Sequence, residues 1–368
     1  MKSKKRPFSK AEQTAQESIY DAQKIAFSPM TFQAVRIAWK RGLLKGLDKN
    51  KDGLTPEELS ESVKMSLYGV RVLLESCLSV NVVAFQDEKY HITKTGKVFL
   101  YSEMTQINMN YNHDVNYLGM FYLEQSIDNA KPEGLKKVFG DYDTIYSALT
   151  SLPEPAKSSW FAFDHYYSDI AFPSILPHVF KNNPKKIMDI GGNTGKFSII
   201  SANYNTSVKV TIVDIPEQLA VAKTEISKAG FSKRIDTIHI DMLDHSRHLP
   251  KGYDVIWMSQ FLDCFGDNDI IEILKKASAA ISKNGRIFIL ETYWDNQEMD
   301  KAAFCIVNTS LYFTALANGT SRMYRLSDML KFINSANLEV VNTVENTGMG
   351  HTLLELQLKK IDLVNQIV

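Results

Sequence analysis

The segment KKIMDIGGNTGKFS, residues 185–198, joins a short apolar strand to a helix through a loop that contains three glycines. Glycine at such a turn lets the backbone approach a ligand closely. The next apolar strand ends at Asp214, 19 residues after Gly195, where an acidic side chain can accept hydrogen bonds from ribose hydroxyls. The glycine spacing is DxGGxxG rather than GxGxxG, which favours a nucleoside ligand that lacks a pyrophosphate.

Short apolar strands alternate with helices from residue 185 onward. After the first two strands, the strand segments are IDTIHID, YDVIWMSQ, RIFILET, LEVVNTV and HTLLELQLK. Such alternation implies crossover connections and a mostly parallel sheet. We therefore predict an α/β fold for residues 181–368, a Rossmann-like domain whose ligand lies at the glycine loop.

The N-terminal part of the chain has a different pattern, in which helices precede a hairpin. Thr55 and Glu58 have the spacing of a capping box at the start of one helix. A second helix is predicted at about 66–79, and apolar segments on both sides of a polar turn predict a hairpin at 82–92. Helices followed by a two-stranded wing indicate a mostly helical winged-helix domain over 1–104.

The composition excludes several classes of protein. Lysine plus arginine and aspartate plus glutamate each number 42, whereas a dedicated nucleic-acid binder usually has a basic excess. Cys77, Cys264 and Cys305 form no CxxC pair, which argues against a zinc cluster or a disulfide framework and indicates a reducing compartment. No apolar run reaches the ~18 residues that span a bilayer. We therefore expect a cytoplasmic protein without a nucleic-acid or membrane partner.

One motif is similar to a calcium site. Residues 48–53, DKNKDG, match the first half of an EF-hand loop, but position 12 of the loop is Leu59 instead of a bidentate glutamate. Pro56 also begins a helix within the loop. A turn before a capped helix explains the segment, and no metal site is predicted.

Further motifs accompany the glycine segment. They are VDIPEQL, HIDMLD, the helix start FLDCFGDNDIIEIL, and NGRIFILET. With them the chain resembles the S-adenosylmethionine-dependent O-methyltransferases of the caffeic acid/hydroxyindole type. The resemblance covers nearly the whole chain, because that family also has an N-terminal winged-helix dimerisation domain. It implies a homodimer that uses S-adenosyl-L-methionine to methylate hydroxyls of small, often aromatic, molecules.

The resemblance also implies which residues bind the cofactor. The glycines would approach its methionine part, and Asp214 would hold the ribose hydroxyls. Asp241 would lie near the adenine amino group, and Met242 would pack on the adenine ring. The cofactor-binding residues predicted in this way are Asp189, Gly191, Gly192, Gly195, Asp214, Asp241 and Met242.

The chain departs from this family at the catalytic base. The family pattern His-Asp-Trp-Ser-Asp is replaced by Asp-Cys-Phe-Gly-Asp at residues 263–267, so that Asp263 stands where the histidine would be. Glu291, 28 residues on, matches a family glutamate that orients the histidine, and Glu355 matches a second one. By this resemblance the orienting residues are retained while the base is changed.

Four explanations for proton removal stay open. An aspartate with an ordinary pKa of ~3.9 is a weak base for a phenol of pKa ~10, but burial and nearby carboxylates would raise the pKa of Asp263. His351 lies four residues before Glu355, on the same face of a strand, and is an alternative source of the imidazole. In the third explanation three carboxylates bind a divalent ion, and in the fourth the acceptor ionises so easily that little base is needed.

The segment 105–180 is rich in aromatic residues, and we predict that it is a helical linker that contributes to the substrate pocket. A histidine within an aromatic cluster is a suitable polar contact for a hydroxylated aromatic acceptor. The predicted substrate-binding residues are Trp160, Phe161, His165, Tyr166 and Asn308.

Two other functions remain as alternatives. The changed base position motivates a related methyltransferase that acts on nitrogen or carbon instead of oxygen. A different class is a non-catalytic cofactor-binding protein or winged-helix regulator. The second helix has few cations for phosphate contacts, with Lys64 nearby and Arg71 within it. A winged helix that serves dimerisation is the simpler interpretation.

Overall fold

The computed structural model describes residues 7–8 and 13–360. Residues 13–113 form one compact unit and residues 114–360 form another, and each is described by itself. Within these described residues, no helix is both long and apolar enough to cross a bilayer. The cytoplasmic location stays a prediction.

The second unit begins at Asp114. Most of the predicted linker segment, 105–180, therefore belongs to the same compact unit as the sheet. The division of the chain into 1–104, 105–180 and 181–368 stays a proposal about the roles of these segments.

Helices and a hairpin build the first unit, in the order predicted for a winged helix. The Thr55 hydroxyl accepts a hydrogen bond from the backbone N–H of Glu58, and the Glu58 carboxylate accepts one from the backbone N–H of Thr55. Asp87 and Glu88 have left-handed φ values of 51° and 59° and form the tight turn of the hairpin. The elements are α1 (Ala15–Lys40), α2 (Leu43–Lys49), α3 (Pro56–Val63), α4 (Leu67–Ser79), β1 (Val83–Gln86), β2 (Lys89–Ile92), α5 (Lys94–Tyr101) and α6 (Glu103–Tyr111).

The core of the first unit consists of apolar side chains from α2, α3 and α4. Leu44, Leu59, Leu74 and Cys77 are fully buried in it. The predicted helix at 66–79 therefore packs its apolar face inward.

The second unit is a sheet with helices on both faces. Its elements before the glycine loop are α7 (Leu123–Asn129), α8 (Glu133–Val138), α9 (Ile145–Ala148), α10 (Ala156–Ser168), α11 (Phe172–Val179) and β3 (Lys186–Ile190). The elements after it are α12 (Lys196–Tyr204), β4 (Lys209–Asp214), α13 (Pro216–Lys228), β5 (Ile235–His239), β6 (Tyr253–Ser259), α14 (Asp267–Ala280), β7 (Ile281–Glu291), α15 (Asp300–Tyr312), α16 (Leu326–Ser335), β8 (Leu338–Thr347) and β9 (His351–Leu358).

The strand order of this sheet is β5-β4-β3-β6-β7-β9-β8. Strands β3 to β7 pair in parallel, whereas β9 runs antiparallel to both β7 and β8. The order reverses at β3, which has β4 on one side and β6 on the other. Open α/β sheets bind ligands at the carboxyl ends of the strands at such a switch point. The predicted α/β, Rossmann-like fold is confirmed, and the glycine loop lies at this switch point.

Side chains of β7 and β9 alternate between two cores, one on each face of the sheet. Ile289 pairs with Leu354, and both lie in the core of one face. Leu290 pairs with Leu353, and both lie in the core of the other face. Because side chains alternate along the strand, Glu291 lies on the same face as Ile289.

Candidate active site

The glycine loop requires glycine for two physical reasons. Gly191 and Gly195 have φ values of 71° and 79°, in the region that residues with a side chain rarely adopt. A Cβ atom at Gly191 would also overlap the ring of Phe261, which lies just after β6. The loop between β3 and α12 thus packs directly on the segment that follows β6.

A buried carboxyl group, Asp189, and a half-buried one, Asp214, flank this loop. Asp189 is 2% exposed and accepts a hydrogen bond from Ser198 Oγ at 2.6 Å, and burial raises its pKa to about 7. Asp214 accepts hydrogen bonds from the backbone N–H groups of Asn193 at 2.9 Å and Ile215 at 2.8 Å, and burial raises its pKa to about 6. A carboxylate has about four acceptor positions, so Asp214 keeps capacity for ribose hydroxyls.

The residues predicted to contact adenine lie after β5. Asp241 is exposed, and its Oδ1 accepts a hydrogen bond from the backbone N–H of Leu243 at 2.9 Å. Met242 is 5% exposed and packs in the core with Ile240 and Leu249. Asp241 is therefore accessible to a ligand, and the contact of Met242 with an adenine ring stays a prediction.

Asp263 lies in the 3₁₀ turn Leu262–Cys264, directly after β6. It is 9% exposed, and burial raises its pKa to about 7. The thiol of Cys264 donates a hydrogen bond to Asp263 Oδ1 at 3.5 Å, and burial holds the pKa of that thiol well above its usual range. Asp263 is thus a buried carboxyl group that gains or loses its proton near neutral pH.

Glu291, at the end of β7, fixes the turn that carries Asp263. Its Oε1 accepts hydrogen bonds from the backbone N–H groups of Phe261 and Leu262, each at 3.0 Å. Glu291 is 2% exposed, and burial together with the nearby charge of Asp263 raises its pKa well above the usual range. Glu291 thus ties the end of β7 to the turn that carries Asp263, and its role in orienting the base stays a prediction.

The structure contradicts the prediction that Glu355 orients the base. Glu355 pairs with Phe288 in the sheet, so the two share a face, and Glu291, three residues after Phe288, lies on the opposite face. Glu355 instead forms an ion pair with Arg286, whose Nε lies 3.3 Å from Glu355 Oε1. The prediction from the resemblance was wrong because a motif match does not reveal the face of the strand.

His351 lies on the face of the sheet opposite Glu291. It is fully buried at the start of β9, on the face of Glu355, and Gln260 donates a hydrogen bond to its Nε2 at 2.9 Å. Burial lowers the pKa of His351 to about 4, so the ring is neutral at physiological pH. Gln260 is three residues before Asp263, and a role for His351 in proton removal stays a prediction.

Trp160 is the predicted substrate residue that the structure connects to this site. It lies on α10 and donates a hydrogen bond from Nε1 to the hydroxyl of Tyr312, on α15, at 2.7 Å. The charges of Asp164 and Asp263 both act on Tyr312 and, with burial, raise its pKa far above the usual range. The Trp160–Tyr312 pair thus joins α10 to α15, and the charge of Asp263 acts on it.

The other predicted substrate residues differ in their surroundings. The rings of Phe161 and His165 are stacked with centroids 6.1 Å apart, and the carboxylate of Asp169 raises the pKa of His165. Tyr166 is half-buried on the same helix, α10. Asn308 is exposed and donates a hydrogen bond to the carbonyl of Phe304 within α15. Their contact with a substrate stays a prediction.

Sequence reasoning missed Asp164. This residue lies on α10, accepts a hydrogen bond from Asn193 Nδ2 at 3.1 Å, and acts electrostatically on Asp263. Burial raises its pKa to about 6. The available signal was a single acidic residue inside the aromatic segment WFAFDHYY, residues 160–167. In the described part of the chain, no group of three or more histidine, cysteine or acidic side chains is arranged to hold a metal ion.

Two protein-family models match the chain. A Dimerisation2-like domain matches residues 20–90, and an O-methyltransferase domain matches residues 121–333, more than half of the chain. The first match lies in the first compact unit and the second in the second unit.

Relatives and solved structures are similar over most of their lengths. L-tyrosine C(3)-methyltransferase from Streptomyces lavendulae is 24% identical over 295 residues, which cover 79% of this chain and 79% of the relative. 3-Hydroxy-5-methyl-1-naphthoate 3-O-methyltransferase from Streptomyces sahachiroi is 22% identical over 319 residues, covering 86% and 89%. The structure of the S-adenosylmethionine-dependent methyltransferase SibL in its apo form matches with a TM-score of 0.70 at 19% identity, covering 92% of this chain and 99% of that chain. At that identity the structural match shows a shared fold.

Proposed function

The chain belongs to the O-methyltransferase family and is an S-adenosylmethionine-dependent methyltransferase, and from this premise we propose that it methylates a hydroxyl of a small aromatic metabolite with Asp263 as the base. One observation carries the proposal: a buried carboxyl group of pKa about 7 lies in the turn after β6. That turn packs on the glycine loop, because Gly191 contacts Phe261, two residues before Asp263.

The residues around the switch point fit the cofactor. In the loop 191–195 a Cβ at Gly191 or Gly192 would overlap neighbouring protein side chains, and Asp214 keeps free acceptor positions at the end of β4. Asp241 is exposed after β5 and adds a negative charge that suits a cation, whereas Asp189 is buried next to Gly192. When bound there, S-adenosylmethionine supplies a methyl group that its positive sulfur already activates for displacement.

The task left to the protein is to position the acceptor and to remove its proton. A carboxylate with a pKa of about 7 is a better match for a phenol of pKa ~10 than an ordinary aspartate of ~3.9. Asp263 would take the hydroxyl proton on a carboxylate oxygen, while the methyl group that the cofactor would supply passes from its sulfur to the phenolic oxygen and S-adenosylhomocysteine is left. Glu291 holds the turn that carries Asp263 through the backbone N–H groups of Phe261 and Leu262.

Methylation of an aromatic carbon is a second candidate. The relative from Streptomyces lavendulae is named as an L-tyrosine C(3)-methyltransferase. Removing a phenolic proton also increases the electron density of the neighbouring ring carbons, so the same base at Asp263 serves methylation of oxygen or of an adjacent carbon. In the carbon reaction, the ring then loses the proton from the methylated carbon to restore its aromaticity.

We also propose that the chain forms a homodimer through its first unit. This unit contains the match to a Dimerisation2-like domain. Helix α1 carries large apolar side chains that are more than half exposed, at Ile19, Ile25, Phe27 and Met30. A second copy that covers these side chains would remove their apolar surface from water. Light scattering coupled to gel filtration tests this, and a monomeric mass would contradict it.

The proposed reaction is tested in two steps. Isothermal titration with S-adenosylhomocysteine measures cofactor binding, and no binding at millimolar ligand would reject the methyltransferase assignment. Incubation with ¹³C-methyl S-adenosylmethionine and catechol, L-tyrosine or 1,4-dihydroxy-2-naphthoic acid then reports the product by NMR. A methoxy carbon supports the leading proposal, and an aryl methyl carbon supports the second candidate. Labelled N-methyl products alone would contradict both.

A further inference from the structure

Asp164 is bound to the glycine loop although it lies on a different element. Its Oδ2 accepts the hydrogen bond from Asn193 Nδ2 at 3.1 Å. The same Asn193 donates its backbone N–H to Asp214 Oδ2 at 2.9 Å. Asn193 has a φ of 47°, a left-handed conformation that asparagine adopts more readily than most residues. Asn193 therefore connects the carboxylate of Asp214, at the end of β4, with the carboxylate of Asp164 on α10.

Asp164 also acts on the proposed base. Like charges close together disfavour ionisation, and the charge of Asp164 adds to the effect of burial on Asp263. Burial is the largest cause that raises the pKa of both Asp164 and Asp263. His165 and Asp169 are the charged groups that act on Asp164 from its own helical segment. The other titratable groups that interact with Asp263 are Tyr146, Cys264, Glu291, Tyr293, Tyr312 and Tyr324.

We propose that Asp164 is a positioning residue for methyl transfer: through Asn193 it holds the aromatic helix α10 against the glycine loop. From this position its charge also acts on Asp263. The inference rests on the proposed function in taking Asp263 as the base. It extends that function, because it joins the cofactor loop, helix α10 and the base in one arrangement. Asp164 acts on the reaction through Asn193 and Asp263.

Infrared titration of the buried carboxyl groups tests the electrostatic part on the free protein. The carbonyl band that is lost in D263N identifies the titration of Asp263. In D164N the band of Asp263 is identified in the same way, by its loss in D164N/D263N. We expect the midpoint of Asp263 in D164N to fall by roughly one pH unit, since a neutral amide replaces a like charge. D169N, which changes a carboxylate five residues further along the chain, is the matched control and should leave the midpoint in place. D164E, which keeps the charge, should restore the wild-type value.

An unchanged Asp263 midpoint in D164N would overturn the electrostatic part. If D164N does not fold, D164S serves the same comparison, because its hydroxyl still accepts a bond from Asn193 without a charge. This titration needs no acceptor and no turnover. If wild type forms no methylated product with any acceptor, the proposed function fails, whereas the inference is judged by this midpoint and by the hydrogen exchange of α10.

Hydrogen exchange tests the positioning part. N193A removes the bond to Asp164, and we expect faster amide exchange along α10 than in wild type, with both proteins saturated with S-adenosylhomocysteine. N205A is the control, since the Asn205 amide bonds to Asn183 and Ser207 away from α10. Equal exchange of α10 in N193A and wild type would show that Asn193 and Asp164 do not hold the helix.

Discussion

Glu291 Oε1 lies 3.0 Å from the backbone nitrogen of Leu262, the residue before Asp263. The bond crosses from the end of β7 to the turn after β6, so one strand of the sheet determines the conformation of the turn on its neighbour. It also satisfies a backbone N–H that burial has removed from water. The base position is therefore built by the sheet rather than by the turn itself.

Replacing Glu291 separates its hydrogen bonds from its charge. E291A leaves the N–H groups of Phe261 and Leu262 without their acceptor, which costs ~1–3 kcal/mol for each buried donor. E291Q keeps an acceptor oxygen for these two N–H groups, so its loss should be below ~1 kcal/mol. Urea unfolding measures both variants. Equal destabilisation of E291A and E291Q would contradict the role of Glu291 as the acceptor of these hydrogen bonds.

The D263N variant tests the base directly. General-base catalysis contributes ~10²–10⁴-fold in rate, and we expect D263N to lose turnover by about that factor. Its affinity for S-adenosylhomocysteine in isothermal titration should remain within about twofold. D267N is the control, because Asp267 lies at the start of α14 and pairs with Arg322 near the surface. Normal turnover of D263N would remove Asp263 from the mechanism.

The pH dependence of kcat/KM should show the titration of Asp263. Because the pKa of Asp263 is raised to about 7, the carboxylate form that accepts the proton predominates above about pH 7 and is lost below it. Catalytic efficiency should therefore fall about tenfold per pH unit below the midpoint and level off above it. The profile is measured from pH 5 to 9 with saturating S-adenosylmethionine. A flat profile across this range would favour an acceptor that needs little base.

Gly191 and Gly230 offer a matched pair of substitutions. Both have left-handed φ values, 71° and 77°, so alanine strains the backbone at either position. A Cβ at Gly191 would also meet the Phe261 ring, whereas a Cβ at Gly230 has nothing within 4 Å. G230A should cost ~1–2 kcal/mol of stability and keep ligand affinity. G191A should in addition weaken S-adenosylhomocysteine binding at least tenfold, and equal affinities of the two variants would contradict this.

The corrected position of Glu355 predicts a structural effect without a catalytic one. E355Q removes the charge that pairs with Arg286 and should lower the free energy of unfolding by ~1–3 kcal/mol. Because Glu355 faces away from Glu291, turnover at a temperature where the variant is folded should stay within about twofold of wild type. Wild-type stability combined with a large loss of turnover would restore Glu355 to the catalytic set.

Much of the site was predictable because it depends on local sequence. A glycine at a positive φ, a strand followed by an acidic residue and a capping box are each set by residues close together in the chain. For this reason Gly191, Gly195 and Asp214 occupy the loop and strand end expected for them. Asp263 and Glu291 also end adjacent parallel strands, whose carboxyl ends meet at one edge of the sheet.

Tertiary structure decided the residues whose roles depend on pairing between distant segments. Glu355 and His351 lie on the face opposite Glu291. The antiparallel register of β7 and β9 determines this, because side chains alternate between the two faces along each strand. Asp164 entered the site because packing of α10 brings it to Asn193, 29 residues away. The sequence by itself determined the fold, the glycine loop and the position of Asp263 after β6. Only the packed sheet decided which carboxyl groups act on Asp263, since burial and proximity across elements set their charge.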